Sequence, residues 1–305
     1  MINIKDIGRI GILAGGPSSE REISLKSGKA VFEALKNKGC DVIFLDIEKD
    51  VYKSVKESKI SVAFIALHGR FGEDGTVQRI LEDMNMPFTG SEVFASRAAL
   101  DKILSKEIFK KNAIPIAEYA VFEKNKINNL NSLKFPLVVK PQNEGSSIGL
   151  SIVEKEGDLE GALTRAYAYD DLVLVEEFIK GKELTVGILG DEALPVIQIV
   201  PGGSACYDFQ AKYNNPETKY IVPAPIAKAK YKKAQKLALA AHNSLGCKAF
   251  SRVDIMLDND GGLYVLEVNT IPGLTSRSLL PKAAAAAGIS FEELCIKLIE
   301  LSLSK

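Results

Sequence analysis

Residues 252–279 read RVDIML-DNDGG-LYVLEVN-TIPGLTSRSL, two apolar alternating runs joined by a loop rich in Asp and Gly, which is typical of a β-hairpin. Side chains alternate along a strand, so Glu267 and Asn269 emerge on one face. Pairing Asp254 with Glu267 or with Val265 adds a third oxygen group to that face, and the sequence leaves both registers open. Two carboxylates and an amide without a nearby His or Cys indicate a site for Mg²⁺ or Mn²⁺ rather than zinc. The alternative is a polar strand end that faces solvent.

The composition is that of an ordinary soluble protein. The chain has 305 residues, of which 46% are hydrophobic and 26% charged, so about two domains are expected. Lys and Arg number 39, as do Asp and Glu, and this zero net charge predicts no general attraction to nucleic acid or to an anionic membrane. The sequence contains neither a signal-peptide pattern nor a stretch near the roughly 20 apolar residues of a membrane span, so we expect a cytoplasmic protein. The dispersed cysteines favour reduced, buried thiols.

Strand and helix patterns alternate along residues 1–92, as in a parallel sheet. Ser19 and Glu22 have the spacing of a capping box for the helix that follows Gly15-Gly16. In such sheets ligands bind beyond the carboxyl ends of strands, where Glu20 and His68 lie. The strands are predicted at 9–14, 40–45 and 62–67, with a short helix at 76–84 and a return to the sheet at 87–90.

The remainder of the chain has an α+β pattern. A single helix is predicted over 95–111, and the segment 201–225 is a long irregular region of the kind that is usually functional or mobile. His242 lies on an amphipathic helix and is predicted to be structural. The strands are predicted at 119–122, 137–139, 150–153, 172–176, 184–189 and 194–199, and further helices at 228–245, 283–287 and 291–303.

A strand that ends at Lys140 leads into QNEGSSIG, residues 142–149. Glycines let backbone N–H groups approach a phosphate, hydroxyls add donors and lysine adds charge, so the loop is a candidate phosphate site, although it is not a Walker A loop. Lys102 is placed to reach the same phosphates. A plain surface hairpin and a solvated surface lysine are the alternatives. The run VLVEEFI, residues 173–179, ends in acids and an aromatic group able to accept a ribose and cover a ring.

These motifs occur in an order that resembles the D-alanine–D-alanine ligases, which are ATP-grasp carboxylate–amine ligases. The order is Gly15-Gly16 with Glu20, Leu67-His68-Gly69-Arg70, Asp101-Lys102, Val138-Val139-Lys140-Pro141, Glu144-Gly145-Ser146-Ser147-Ile148-Gly149, Glu176-Glu177, Ala211-Lys212-Tyr213, Arg252-Val253-Asp254 and Glu267-Val268-Asn269-Thr270. The resemblance extends from Gly11 to the last helix. It implies an α/β, partly α+β, three-domain ATP-grasp fold: a parallel α/β domain over 1–92, a central α+β subdomain over 93–182 and a C-terminal subdomain over 183–305 with a lid at 201–225.

The resemblance also implies an activity. ATP would convert D-alanine to D-alanyl phosphate, and a second D-alanine would displace the phosphate to form D-alanyl-D-alanine, a peptidoglycan precursor, with release of ADP and phosphate. A homodimer and two Mg²⁺ or Mn²⁺ ions are expected. The ATP-binding residues would be Lys102, Lys140, Ser147, Glu176, Glu177, Phe178, Ile179 and Glu183, and the metal ligands Asp254, Glu267 and Asn269. The catalytic residues would be Glu20, His68, Ser146, Tyr213, Arg252 and Gly273, and the amino-acid-binding residues Glu20, His68, Lys212, Ser278 and Leu279.

Tyr213 bears on the nucleophile, because family members that make the D-lactate ester resemble one another in carrying Phe at this position. Three residues depart from the pattern of many relatives: Phe71, Gln210 and Arg277.

Three other functions would account for parts of this sequence. A ligase for another amino acid or hydroxy acid pair, such as D-alanine–D-lactate, would share the lysines and the metal hairpin, and Glu20, Ser146 and Tyr213 argue against it. A Rossmann-type dinucleotide protein would need G-x-G-x-x-G, which residues 11–16 lack. A nucleotide-binding module without catalysis would be expected to have lost part of the metal and oxyanion set.

Overall fold

The computed structural model of the protein describes residues 7–48, 50–202 and 217–304. These residues form three β-sheets with helices packed against them. No helix among them is both long enough and apolar enough to cross a membrane.

The first sheet is parallel, with its strands in the order β2-β1-β3. Phe88 adds an isolated parallel bridge to Ala63, which confirms the predicted return to the sheet. The strands are β1 (Ile10–Gly15), β2 (Val42–Ile47) and β3 (Val62–Ile65), and the helices are α1 (Arg21–Asn37), α2 (Val51–Ser58) and α3 (Thr76–Asp83).

The second sheet is antiparallel, in the order β4-β7-β5-β6, and follows a pair of helices. The helices are α4 (Val93–Leu100), α5 (Lys102–Lys111) and, later in the chain, α6 (Leu159–Ala166). The strands are β4 (Tyr119–Glu123), β5 (Leu137–Pro141), β6 (Ser151–Val153) and β7 (Leu172–Glu177).

The third sheet is also antiparallel, in the order β11-β10-β8-β12-β13, with β9 paired to β8. Its strands are β8 (Gly181–Leu189), β9 (Glu192–Ala193), β10 (Ile197–Val200), β11 (Lys219–Ile221), β12 (Phe250–Asp258) and β13 (Leu263–Asn269). The accompanying helices are α7 (Lys228–Ser244), α8 (Leu279–Ala286) and α9 (Phe291–Leu303).

The two ends of the chain share one apolar core. Ile12 of β1 and Leu35 of α1 belong to the same buried cluster as Leu280 of α8 and Leu298 of α9. Burial of apolar surface is the main stabilising term in such contacts, so α8 and α9 are held on the first sheet. This packing brings the segment after β13 next to Glu20, which follows β1.

The structure corrects three predicted elements. The predicted helix over 95–111 is two helices, because Asp101 is extended and its Oδ1 accepts hydrogen bonds from the N–H groups of Ile103 and Leu104, which starts α5. The predicted strand at 194–199 is interrupted at Pro195, which has no N–H to donate. The Ser19 capping box is wrong, since the residue at the N-cap of α1 is Glu20 and no side chain caps that end.

Two helices, α2 and α6, have no counterpart among the predicted elements. Each is only eight residues long, and so short a helix carries little periodic signal. The cysteines in the described ranges are free, and burial raises the pKa of the Cys247 and Cys295 thiols to about 12.

Candidate active site

Two cavities meet where the three sheets converge. The larger, about 680 Å³, lies between the second and third sheets, and the smaller, about 450 Å³, lies between the first sheet and the segment after β13. Lys102, Glu144 and Glu267 line both cavities. A group bound in one cavity therefore has access to a group bound in the other at these residues.

The hairpin of β12 and β13 supplies acidic groups to this junction. Asp254 pairs with Glu267 and Arg252 with Asn269, so the register left open by the sequence is the one that places Asp254 opposite Glu267. An irregularity follows Asp254, because Ile255 pairs with Val265 and Leu266 is left as the extra residue. Such bulges are common next to active sites, where they re-aim a side chain.

Asp254 is tightly held by its neighbours. The Arg252 guanidinium donates from Nε to Oδ1 over 3.0 Å and from an Nη to Oδ2 over 2.8 Å, and Thr185 Oγ1 donates to Oδ1 over 2.6 Å. A carboxylate offers about four lone-pair sites, so these three bonds leave room for one further partner. Arg252 itself is thereby held in one orientation, and it lines the smaller cavity.

The donor chemistry of the predicted metal set fits a hard cation. Asp254, Glu267 and Asn269 offer only oxygen, which Mg²⁺ and Mn²⁺ prefer. Asn269 Oδ1 accepts a hydrogen bond from the Ile271 N–H over 2.9 Å, which uses one of its two lone pairs. In the part of the chain that the structure describes, no group of three His, Cys, Asp or Glu side chains is placed to hold a metal, so this set depends on the amide as its third ligand.

The larger cavity collects the predicted nucleotide residues. Lys102 begins α5, and its Nζ donates to the backbone oxygen of Glu144 in the loop of residues 142–149, the Gly/Ser loop. Burial lowers the pKa of the Lys102 ammonium, and Glu267 opposes that effect. The other predicted residues on its wall are Lys140, Ser147, Glu176, Glu177, Phe178, Ile179 and Glu183.

The Gly/Ser loop has a strained backbone. Ser146 and Ser147 have positive φ angles of 50° and 59°, a region that residues other than glycine seldom adopt. Such conformations persist where the surroundings enforce them, and they cluster at binding sites. Here the Ser146 hydroxyl contacts Glu20 Oε1, so the loop at the larger cavity is tied to the wall of the smaller one.

The smaller cavity brings together the predicted amino-acid residues. Glu20 is buried at the N-terminal end of α1, close to Gly69 and Gly145. Ser278 Oγ accepts from the Thr275 N–H over 3.0 Å, which closes a turn before α8. The other predicted residues that line the cavity are His68, Ser146, Arg252, Gly273 and Leu279.

His68 has partners that the sequence analysis missed. Its Nε2 lies 3.0 Å from Ser27 Oγ, and its Nδ1 lies 3.4 Å from Glu73 Oε1. Glu73 also accepts from the Gly69 N–H over 3.1 Å. Glu73 follows His68 by only five residues, so the sequence could have indicated this contact. Ser27 lies on α1, far from His68 along the chain, and nothing in the sequence indicated that contact.

Arg70 forms a bridge that the sequence also did not indicate. It follows His68-Gly69 after β3, yet its guanidinium reaches Glu144 in the Gly/Ser loop and Asp170 just before β7. Although partial burial opposes the charged form, these two carboxylates raise the pKa of Arg70. The bridge connects the first sheet to the wall of the larger cavity.

Three residues that the sequence analysis singled out in the predicted lid lie outside the described residues. They are Gln210, Lys212 and Tyr213, within the predicted lid at 201–225, of which the structure describes only 201–202 and 217–225. Tyr220, on β11, lines the smaller cavity and was not among the predicted residues.

Two family profiles together match most of the chain. A profile described as "D-ala D-ala ligase N-terminus" matches residues 9–54 and 51–91, and one described as "D-ala D-ala ligase C-terminus" matches residues 108–300. A D-alanine–D-alanine ligase of Geotalea uraniireducens (strain Rf4) is 46% identical over 299 residues, covering 97% of this chain and 96% of the relative. A D-alanine–D-alanine ligase of Trichlorobacter lovleyi is 48% identical over 289 residues, covering 94% and 92%.

Solved structures agree with the sequence matches. The crystal structure of D-alanine–D-alanine ligase from Bacillus anthracis superposes with a TM-score of 0.86 at 37% identity, covering 97% of each chain. The same enzyme complexed with ATP gives a TM-score of 0.84 at 35% identity. The predicted ATP-grasp fold class is confirmed by these likenesses, and the chain belongs to the D-alanine–D-alanine ligase family.

Proposed function

We propose that the protein joins two D-alanine molecules to D-alanyl-D-alanine at the expense of ATP, for the synthesis of peptidoglycan precursors. The observation that carries the proposal is the meeting of the two cavities at Lys102, Glu144 and Glu267. A phosphoryl donor in the larger cavity and an amino acid in the smaller one would face each other there. The family membership supplies the identity of the two substrates.

The larger cavity is proposed to hold ATP. Its lysines, Lys102 and Lys140, would bind the phosphates with the hydroxyl of Ser147, and the residues of the 176–179 run and Glu183 would hold the adenosine. Asp254, Glu267 and Asn269 would hold Mg²⁺ or Mn²⁺, and the family resemblance implies two such ions. A bound divalent ion would neutralise charge on the phosphate oxygens.

The smaller cavity is proposed to hold both amino acids. The Glu20 carboxylate would pair with the ammonium group of the first D-alanine beside His68. This pairing would orient the carboxylate of that D-alanine toward the junction of the two cavities. That carboxylate oxygen would attack the terminal phosphorus of ATP, and ADP would leave. Ser278, Leu279 and Lys212 would hold the carboxylate of the second D-alanine, whose amine would attack the acyl carbon after losing a proton and expel phosphate.

The tetrahedral intermediate of the second step needs hydrogen-bond donors for its oxyanion. Arg252 and the N–H of Gly273 both line the smaller cavity, and we assign them this role. Asp254 already fixes the Arg252 guanidinium through two hydrogen bonds, so the donor is oriented before substrate binds. Preorganised donors of this kind cost no reorganisation during the reaction.

We also propose the organisation that the sequence implies: the domains 1–92, 93–182 and 183–305, a lid at 201–225, a homodimer and a cytoplasmic location. The shared core of α1 and α9 is compatible with this division, since the helices of the third segment close over the first sheet.

Phosphate release from ATP tests the proposal. The purified chain with Mg²⁺ should release phosphate when D-alanine is added and should do so far more slowly with L-alanine, and mass spectrometry should detect the dipeptide. Glu267→Gln, which keeps the shape of the side chain and removes its charge, should abolish release while circular dichroism shows a folded chain. Glu107→Gln, at an exposed position on α5, is the matched control. Equal rates with both enantiomers, or phosphate release without dipeptide, would exclude the proposed reaction.

A further inference from the structure

Lys106 is a buried lysine that belongs to neither cavity wall. It lies on α5 four residues after Lys102, a spacing that places both side chains on one face of the helix. The residue is 1% exposed, and its Nζ lies 2.7 Å from Glu176 Oε2. Lys102 and Glu176 line the larger cavity, whereas Lys106 lies behind Glu176.

Glu176 is shared between two lysines. Its Oε1 contacts the Nζ of Lys140, and its Oε2 faces Lys106. The sheet creates this arrangement, because Glu176 pairs with Val138 on β5, so that Lys140, two residues further along β5, lies diagonally across from it. On the other side of β7, Glu176 pairs with Tyr119, whose ring centre lies 5.6 Å from the Lys106 Nζ.

The triad carries a net positive charge. Burial alone would raise the pKa of the Glu176 carboxyl, but Lys106 and Lys140 together lower it to about 2. Burial lowers the pKa of the Lys106 ammonium, and Glu176 opposes that effect. An ammonium 2.7 Å from an anionic oxygen in a shared buried site stabilises both charges, so two ammonium groups surround one carboxylate.

A contribution to folding stability does not explain why Lys106, Glu176 and Lys140 are buried together. The contact between Lys106 and Glu176 is an ion pair in which, among the described residues, the Lys106 Nζ donates no aligned hydrogen bond and the Glu176 Oε2 accepts none. Buried ion pairs can often be replaced by apolar residues without loss of stability, because desolvation offsets their attraction. A buried excess of positive charge beside a cavity is better explained by an anion that binds there.

We propose that Lys106 is a positioning residue for the ATP phosphates, acting through Glu176 on Lys140. By engaging one oxygen of Glu176, Lys106 prevents that carboxylate from neutralising and withdrawing Lys140. Without Lys106, Glu176 and Lys140 would form a neutral pair, and the phosphates would lose a cation. The inference rests on the proposed use of ATP but not on the identity of the amino acids.

Direct binding of AMP-PNP with Mg²⁺, measured by calorimetry on the full chain without any amino acid, tests the inference. Lys106→Met removes the charge and should weaken AMP-PNP binding at least about tenfold, because Glu176 would then withdraw Lys140 and the phosphates would lose one charged hydrogen bond. Lys106→Arg keeps the charge and should bind within about threefold of the parent chain. Lys110→Met, at an exposed position one turn later on α5, should leave the affinity unchanged.

A double-mutant cycle shows whether Lys106 acts through Glu176. In a Glu176→Gln background, Lys106→Met should have little further effect on AMP-PNP affinity, because no carboxylate remains to be held. Additive losses would overturn the proposal, as would unchanged affinity in a folded Lys106→Met chain, which would leave Lys106 a purely structural role. If Lys106→Met does not fold, Lys106→Gln replaces it, and equal affinity of the Gln and Arg variants would refute the requirement for charge. A chain that binds AMP-PNP as expected but makes no dipeptide would contradict the proposed ligation and leave this inference intact.

Discussion

Replacing Arg70 by alanine should release the Gly/Ser loop from the loop after His68 and so weaken ligand binding in both cavities. The Arg70 guanidinium donates to Glu144 Oε1 over 2.6 Å, to Asp170 Oδ1 over 2.7 Å and to the Tyr169 carbonyl over 3.1 Å. These are contacts between the loop after His68 and two segments of the second sheet. Arg70→Ala removes all of them and leaves the backbone of the loop unchanged.

The burial of the partners sets the size of the effect. The Arg70 side chain is 44% exposed, so solvent screens it and each ion pair alone would contribute no more than about 1 kcal/mol. The Glu144 and Asp170 side chains are only 13% and 10% exposed, so the loss of their charged partner costs more. Asp170 keeps a hydrogen bond from the Asn143 N–H over 2.8 Å, which limits that cost. We expect about 2 kcal/mol for the three contacts together, between the values for exposed and buried charged bonds.

The loss of this free energy should mainly affect the position of the Gly/Ser loop. Arg70 holds Glu144, and two residues further on the Ser146 hydroxyl contacts Glu20. If about 2 kcal/mol favours the held position of the loop, its removal shifts that equilibrium by roughly 30-fold. The KM values for ATP and for D-alanine should therefore rise together, by up to roughly that factor, in a steady-state phosphate-release assay.

Arg79→Ala is the matched control, because Arg79 forms a single exposed ion pair with Glu82 at 3.4 Å on the surface of α3. The Arg70→Ala effect should also be mimicked in part by high salt, which screens exposed charges. A rise in only one of the two KM values would refute the coupling of the cavities through this residue. Unchanged kinetics would show that the contacts do not hold the loop.

Three further predictions concern substitutions of single residues. A Cβ at Gly145 would lie 2.9 Å from Glu20 Oε2, so Gly145→Ala should raise the KM for D-alanine severalfold, while calorimetric ATP-analogue affinity stays near that of the parent; the reverse pattern would contradict the placement of Glu20. Burial lowers the pKa of His242 to about 4, so as the pH falls the unfolded chain binds a proton before the folded chain does. The free energy of unfolding should therefore fall by about 3 kcal/mol between pH 6.5 and pH 4. In denaturant titrations His242→Asn should lack this loss of stability, and an equal loss in the variant would refute the role of His242. Tyr213→Phe should permit ester formation with D-lactate, and an unchanged dipeptide-to-ester ratio by mass spectrometry would count against the role of the hydroxyl.

The local patterns of the sequence were sufficient for most elements. The alternation in residues 252–257 and 263–269 predicted β12 and β13, and the periodicity after residue 290 predicted α9 with its observed bounds. The same patterns failed where one residue overrides a longer run. Asp101 divides a continuous helical pattern, because its carboxylate caps a new helix, and Pro195 interrupts a strand pattern, because it cannot donate a hydrogen bond.

For the site, the sequence was informative where residues that act together are close along the chain. Glu267 and Asn269 share a face because strand side chains alternate, and this follows from two adjacent positions. The register that sets Asp254 against Glu267 was open, since both candidate pairings satisfy the alternation. Packing of β12 between β8 and β13, with Leu266 excluded from the pairing, selects one of them.

Alternation, periodicity and turn composition thus specified the oxygen-rich hairpin, the Gly/Ser loop and the α/β and α+β patterns, because each depends on neighbours within a few residues. The contacts of Lys106 with Glu176 and of Arg70 with Glu144 and Asp170 join residues 70 or more positions apart. Such pairs form only when the sheets pack against each other. Burial then strengthens the electrostatic interaction between their charges, and burial cannot be inferred from the spacing of residues along the chain.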